Sequence, residues 1–541
     1  MDNQSEDGLV QQPSLQRVQQ ADFQKLENRQ KRFRALWRGS VLYALFYTVC
    51  LYHNASGITY PFFAGGTLWF YGFLKKKCAC LNSESAFAEG QQNRAHMNKV
   101  FFITTILIAG FLNCTTDSGV LIFFNKLLMF VLMSVLMLQC LQDLTAWSIT
   151  AYIKNCAAVL SGAVGSMFTP IGDLWACWKL RPTKSEKKEA DPDRKRIWTS
   201  VGIGLLIAVP IAMFITILLA SADAVFCKMV YEILTFSVDL DIIENIWSYS
   251  GVLLNIGIVF ALCYGLFTYS TASKNIEKMK KLAASGEANL DTYIAITVNG
   301  IMCVIYLLFS GVQIFGLFLG KMKLPEGYTY SAYARRGFFE LVFVCLFNIL
   351  MVLFTMAYFK GSKTLKILLT VICGCTYIMT VSSAYRMILY ISTYQLTFLR
   401  VLVLWGLAMI AVVMTGVVVY IYNQKFALFR FLLVVVTVGW LGFSAAHPDY
   451  WIASYNIAAC SDGEEYDNFY LANRLSLDAV PALPEEVYNQ YGGTHYWKRA
   501  RKYQRQRESF LGIRAFNFSR AYAAPKIDNP VKNTRSGIQK E

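Results

Sequence analysis

Apolar runs close to 20 residues long recur along this chain, and nothing else in it narrows the possible folds as much. Residues 119–140, 338–359, 401–422 and 426–446 are examples. About 20 such residues cross a bilayer as a helix, and a helix satisfies its own backbone donors and acceptors where no water can. Only 16% of the 541 residues are charged and 55% are hydrophobic, whereas a soluble domain carries about 25% charged residues. Lipid is the solvent that suits this sequence.

The formal net charge is +16, which would also suit nucleic acid. The basic residues, however, lie mostly between apolar runs or in the tails, as cytoplasmic loops and anionic lipid require. Nucleic acid is therefore not expected as a partner. Of the 14 cysteines, Cys50, Cys140, Cys263, Cys303 and Cys345 sit inside apolar runs and read as small hydrophobes. The close pairs Cys78/Cys80 and Cys373/Cys375 lack zinc or redox spacing. The first apolar run follows a polar lead of about 36 residues, so it reads as an anchor rather than a signal peptide.

Taken in order, residues 1–36 form a polar tail ending in Arg29, Lys31, Arg32 and Arg34, expected in the cytoplasm. Residues 37–53 and 58–74 read as a first hairpin closed by Lys75, Lys76 and Lys77. Residues 100–113 and 119–140 read as a second, around the turn TTDSG. Lys126 lies inside the fourth run, where a lone lysine is costly; it either pairs within the bundle or serves a function. Residues 141–178 carry Asp143, Lys154, Asp173 and Pro170, and fit an interfacial segment or two re-entrant pieces. A basic loop leads to a span at 197–220, then an acidic loop, then spans at 246–270 and 293–320. The stretch 324–341, LPEGYTYSAYARRGFFEL, has the turn, aromatic belt and charges of a membrane boundary. Spans at 338–359, 365–385, 401–422 and 426–446 complete about 11. Beyond them, Pro448 and Asp449 suit a helix start, residues 476–483 read as a second short helix capped by Ser476 or Asp478, and residues 496–510 read as a basic amphipathic helix suited to a membrane surface.

Four pieces in order carry a resemblance: GYTYSAYARRGFFEL (327–341), RMILYISTYQLTFLR (386–400), HPDYWIASYN (447–456) with SLDAVPAL (476–483), and IRAFNFSR (513–520). They resemble the bacterial multi-pass membrane family catalogued as domain of unknown function 4173, related to domain of unknown function 4153. The resemblance covers roughly residues 100–520 and implies architecture without a mechanism. His447 stands where that family usually has Asn, Ser454 replaces an Arg, and Gln395 stands where Gly is frequent.

Candidate chemistry centres on Arg335, Arg336 and Glu340 with Arg386, Tyr390 and Arg400. Arg336 and Glu340 are one helical turn apart, and Glu340 lies where an unpaired carboxylate is expensive. The group reads either as an anion- or headgroup-binding pocket or as an ion-pair staple between helices, with Glu340 paired to Arg386 or Arg400. Asn255, Asn299, Gln313 and Asn348 read as interhelical glue or as the lining of a pathway. His53, His96, His447 and His495 stand apart from one another, so no metal is expected. No G-x-S-x-G nucleophile or phosphate loop is present, and no cofactor or catalytic residue is assigned.

The reading is an all-α polytopic transmembrane bundle with a small helical extramembrane segment. Its divisions are a tail at 1–36, a transmembrane domain at 37–446 and a C-terminal segment at 447–541. It is expected in a bacterial cytoplasmic membrane with the N-terminus inside and residue 447 onward outside. The expected role is a non-enzymatic envelope scaffold or sensor accessory, with the bilayer and another membrane or envelope protein as partners. The alternative is a permease or lipid-handling transporter.

Overall fold

The computed structural model describes residues 12–54, 56–79, 92–141, 149–180, 240–272, 275, 290–314, 338–459, 468–491, 493–508 and 512–527. Every regular element among them is a helix, with one isolated bridge between Leu290 and Phe359. In chain order the α-helices are α1 (Gln12–Leu51), α2 (Thr59–Ala79), α3 (Gln92–Thr115), α4 (Gly119–Leu141), α5 (Ile149–Gly165), α6 (Thr169–Lys179), α7 (Leu240–Thr271), α8 (Thr292–Gln313), α9 (Phe338–Tyr358), α10 (Lys363–Tyr394), α11 (Phe398–Tyr422), α12 (Leu428–Ala445), α13 (Pro448–Ala459), α14 (Asn468–Asn473), α15 (Gly493–Glu508) and α16 (Phe518–Ala523).

Seven of these, α4 and α7 to α12, are long and apolar enough to cross a membrane, and the α5–α6 pair makes an eighth if it counts as one broken span. About 11 were expected. The span at 197–220 lies outside the described residues, and residues 100–113 fold as part of a shorter apolar helix. The polar tail and the first apolar run share one element, since α1 runs across residue 36 as a single 40-residue helix.

Contacts divide the chain into two compact units, residues 1–48 with 168–264, and residues 49–167 with 265–541. In the first, α1 buries Leu36, Ser40, Ala44 and Thr48, a four-residue spacing that keeps one face inward. Pro170 opens α6 instead of breaking it, since the first turn needs no donor from proline. Asp173 on α6 then receives a bidentate pair from Arg32, Nε to Oδ2 at 2.6 Å and Nη2 to Oδ1 at 2.5 Å. The Tyr264 hydroxyl donates to Oδ2 at 2.7 Å. A charge that looked like an interruption is the polar anchor of three helices.

In the second unit α8 to α12 share one apolar core, and α2, α3 and α4 share another that reaches Leu441. Helices α2 and α3 cross closely at Gly110, where a Cβ would meet Ala64 at 3.1 Å and the Tyr60 carbonyl at 3.2 Å. Asn125 joins α4 to α12, donating to Ser444 Oγ at 2.9 Å and accepting from Trp440 Nε1 at 2.8 Å, so this buried amide is satisfied on both sides. Residues 447–527 build a separate core around Ile452, Leu471, Leu475, Val487 and Tyr496. This cap sits at the bundle end that carries loops 52–58, 115–118 and 395–397. Leu290, Lys360 and the start of α10 lie at the opposite end, where the Lys360 backbone N–H donates to the Leu290 carbonyl at 3.4 Å.

Candidate functional site

Among the described residues, the predicted polar group does not assemble around Glu340. Arg335 and Arg336 lie outside the described residues. Glu340 is exposed in the first turn of α9, and both described arginines take other partners. Arg386 donates Nη2 to Gln313 Oε1 at 3.0 Å. Arg400 donates Nη1 to the carbonyls of Tyr394, at 2.6 Å, and Gln395, and its guanidinium lies 4.1 Å from the Tyr390 ring centroid. It closes the C-terminal end of α10, where unpaired carbonyls attract a cation. Lys126 is half-buried with its ammonium 4.8 Å from the Tyr60 ring centroid, a cation–π contact.

The described polar chemistry gathers instead where the cap meets the α3–α4 turn. Asp117, almost buried in that turn, accepts from Arg499 Nη1 on α15 at 2.8 Å and from Arg520 Nε on α16 at 2.5 Å. Its backbone N–H donates to Asp478 Oδ1 at 2.7 Å. Asp478, in the short 3-10 helix Leu477–Ala482, also accepts from the hydroxyls of Thr116 and Ser519, and His447 Nδ1 lies 3.6 Å from its Oδ2. Burial pushes the Asp478 carboxyl up, but the donors from His447, Ser519, Thr116 and Asp117 outweigh it and hold it below the usual carboxylate value.

Asp449, in the first turn of α13, accepts from the Ser476 backbone N–H at 3.1 Å and from its hydroxyl. Burial is the larger influence there, and with the Asp478 charge it pushes Asp449 up to about 6 despite those two bonds. Asn517 caps α16 by accepting from the Arg520 backbone N–H at 3.1 Å, and its amide donates to the Thr116 carbonyl at 2.9 Å. The 52–58 loop closes the other side. Ile58 donates to the Phe516 carbonyl at 2.7 Å, and a Cβ on Gly57 would lie 2.7 Å from the carbonyl oxygens of both Arg514 and Phe516, so only glycine fits. At the third loop, Asn456 exchanges both amide bonds with Leu396, at 2.8 and 2.9 Å.

A cleft of about 340 Å³ opens beside Asp478, lined in part by His447, Tyr450, Pro481, Ser519 and Tyr522. The Ser519 hydroxyl is not poised as a nucleophile. Ser519 gives its proton to a carboxylate that is held ionised, whereas an activated serine needs a base that will take the proton. The arrangement is a latch, in which Asp117 of the loop takes both guanidiniums of the cap and Asp478 of the cap takes the Asp117 N–H and the Thr116 hydroxyl of the loop.

Sequence reasoning missed this site. The signal was present in TTDSG, a lone carboxylate flanked by hydroxyls, and in one charge in each of HPDYW, LDAVP and FNFSR. Nothing in the sequence joins positions about 360 residues apart. Of residues 496–510, expected on a membrane surface, those described (496–508) belong to α15, which buries Tyr496, Ala500 and Tyr503 in the cap core and turns Arg499 to Asp117. Among the described residues no group of three His, Cys, Asp or Glu is placed to hold a metal.

A family model described as "Domain of unknown function (DUF4153)" matches residues 101–486. No curated protein and no solved structure matches the chain.

Proposed function

Because the chain belongs to the family described as domain of unknown function 4153, whose description names no activity, we propose a role drawn from its own geometry. The protein is an integral membrane scaffold, or the accessory of a sensor, whose cap is latched over the loop ends of its bundle. The match does not carry the narrower kinship expected from the sequence, with domain of unknown function 4173. Asp117 and Asp478 fall inside the matched residues, whereas Arg499, Ser519 and Arg520 lie beyond them.

The observation that carries the proposal is the Asp117 carboxylate gripped by Arg499 and Arg520. Breaking a buried pair leaves an uncompensated charge and costs about 3–5 kcal/mol, so the latch holds the cap in one pose and offers a partner a fixed surface. The membrane is a bacterial cytoplasmic one in this reading, with the N-terminus and the lysine-bearing end of the bundle (Lys360, Lys363, Lys366, Lys425) inside and the cap outside.

Complementation of a strain lacking the protein tests the role. Asp117→Ala is expected to abolish complementation and to expose the cap to trypsin while membrane insertion persists. His447→Gln removes the imidazole from the cleft and is expected to complement. If His447→Gln abolished function with the cap still protected, the site would be doing chemistry and the non-enzymatic reading would fall.

A further inference from the structure

A row of polar side chains runs through the core between α8, α9 and α10, away from the latch. On α8, Asn299, Cys303, Tyr306, Ser310 and Gln313 share one buried face, and the helical rise from Asn299 to Gln313 is about 21 Å. Cross-links tie the row to both neighbours. Asn299 donates to Thr355 Oγ1 on α9 at 3.3 Å, Asn348 on α9 donates to Thr376 Oγ1 on α10 at 2.9 Å, and Ser382 on α10 donates to Gln313 at 2.6 Å. These bonds satisfy the amide donors but leave acceptors over. Among the described residues, the Oδ1 atoms of Asn299 and Asn348 and the hydroxyls of Ser310 and Ser383 have no partner, although all four residues are at most 2% exposed. Ser383 continues the face of Thr376 and Thr380 at helical spacing.

An unpaired buried oxygen costs about 1–3 kcal/mol, and four in one seam make a feature that packing alone would remove. Two are amide carbonyl oxygens, acceptors only, and the other two are hydroxyls that accept equally well. Such a set suits a small guest that offers positive charge or donated protons. We propose that this seam is a binding site for small oxygen-ligated guests, an alkali cation or the water that would accompany it, reached from the aqueous phase. The inference concerns binding and stands whether the chain acts as a scaffold or as a permease.

The seam contains its own reporter. Cys345 is fully buried, with Sγ 3.6 Å from Thr380 Oγ1 and 3.9 Å from the Thr376 carbonyl. The full chain in phosphatidylcholine liposomes is treated with silver ion, a small monovalent cation that binds thiols, and modification of Cys345 is followed by mass spectrometry. Cys263, buried in another span, is the comparison. Cys345 is expected to react faster than Cys263, and Asn348→Leu to slow that reaction about tenfold by removing one partner. Where Asn348→Leu does not fold, Ser310→Val replaces it. Slower reaction in sodium than in choline assigns the site to the cation, and equal rates assign it to water. Cys345 reacting no faster than Cys263, or a folded variant reacting at the native rate, would overturn the proposal.

Discussion

Of the three non-glycine residues described with positive φ, two stand where the sequence departs from the family it resembles. Gln395 has φ 64° with ψ −179° at the end of α10, and His447 has φ 47° between α12 and α13. The family resemblance drawn from the sequence has Gly at the first position and Asn at the second, the residues that tolerate positive φ best. The departures are strained positions, and Gln395→Gly is expected to raise stability by about 1 kcal/mol, read from thermal unfolding in detergent. A second prediction concerns Asp449. Its folded value of about 6 exceeds the usual carboxylate value of 3.8, so its contribution is fully present below the unfolded value and is lost as pH rises through 6. Asp478 behaves oppositely, contributing above the unfolded value and losing that on acidification. His495, lowered chiefly by burial, also favours the higher pH. The clean measurement is therefore the difference between variants: the stability gained by Asp449→Asn over the native chain should grow between pH 4 and 7.

At the scale of elements, charge decides which helices meet. Helix α6 is short and begins with proline, yet the Arg32–Asp173–Tyr264 group fastens it to α1 and α7. Asp173→Ala should destabilise the first unit by about 3 kcal/mol, and the pair Arg32→Leu with Asp173→Leu should recover much of that, because removing both charges leaves none buried alone. The cap obeys the same logic. Arg499→Ala and Arg520→Ala share the Asp117 carboxylate, so their losses should be non-additive in a double-mutant cycle by 0.5 kcal/mol or more, with tryptic release of the cap as the readout.

For the whole molecule, the second unit gives its bundle two unlike ends. One holds the cap over three loops; the other joins Leu290 to Lys360 and carries exposed lysines. An impermeant maleimide applied to intact cells should label Cys460 and spare a Lys425→Cys variant if the cap faces outward, and the reverse pattern would invert the topology. Individual spans were readable from sequence wherever an apolar run was long and its charges few and close to one end, as in α11 and α12, each with a single arginine in its first turn. The residues 141–178 were not, because Asp173 looks like a loop residue until Arg32 is beside it.

Local order therefore came from the chain itself. Lipid-length apolar runs, the proline and aspartate opening α13, and the Ser476 cap follow from short-range chemistry that any window of the sequence contains. Pairing of distant charges came only with tertiary structure. The sequence offers Glu340 either Arg386 or Arg400 as a partner, whereas the folded chain gives Arg386 to Gln313 and Arg400 to the end of the preceding helix, α10. Asp117 found Arg499 and Arg520 almost 400 residues away, since a carboxylate in a nearly dry turn is stable only where folding delivers a cation, and periodicity says nothing about which cation that will be.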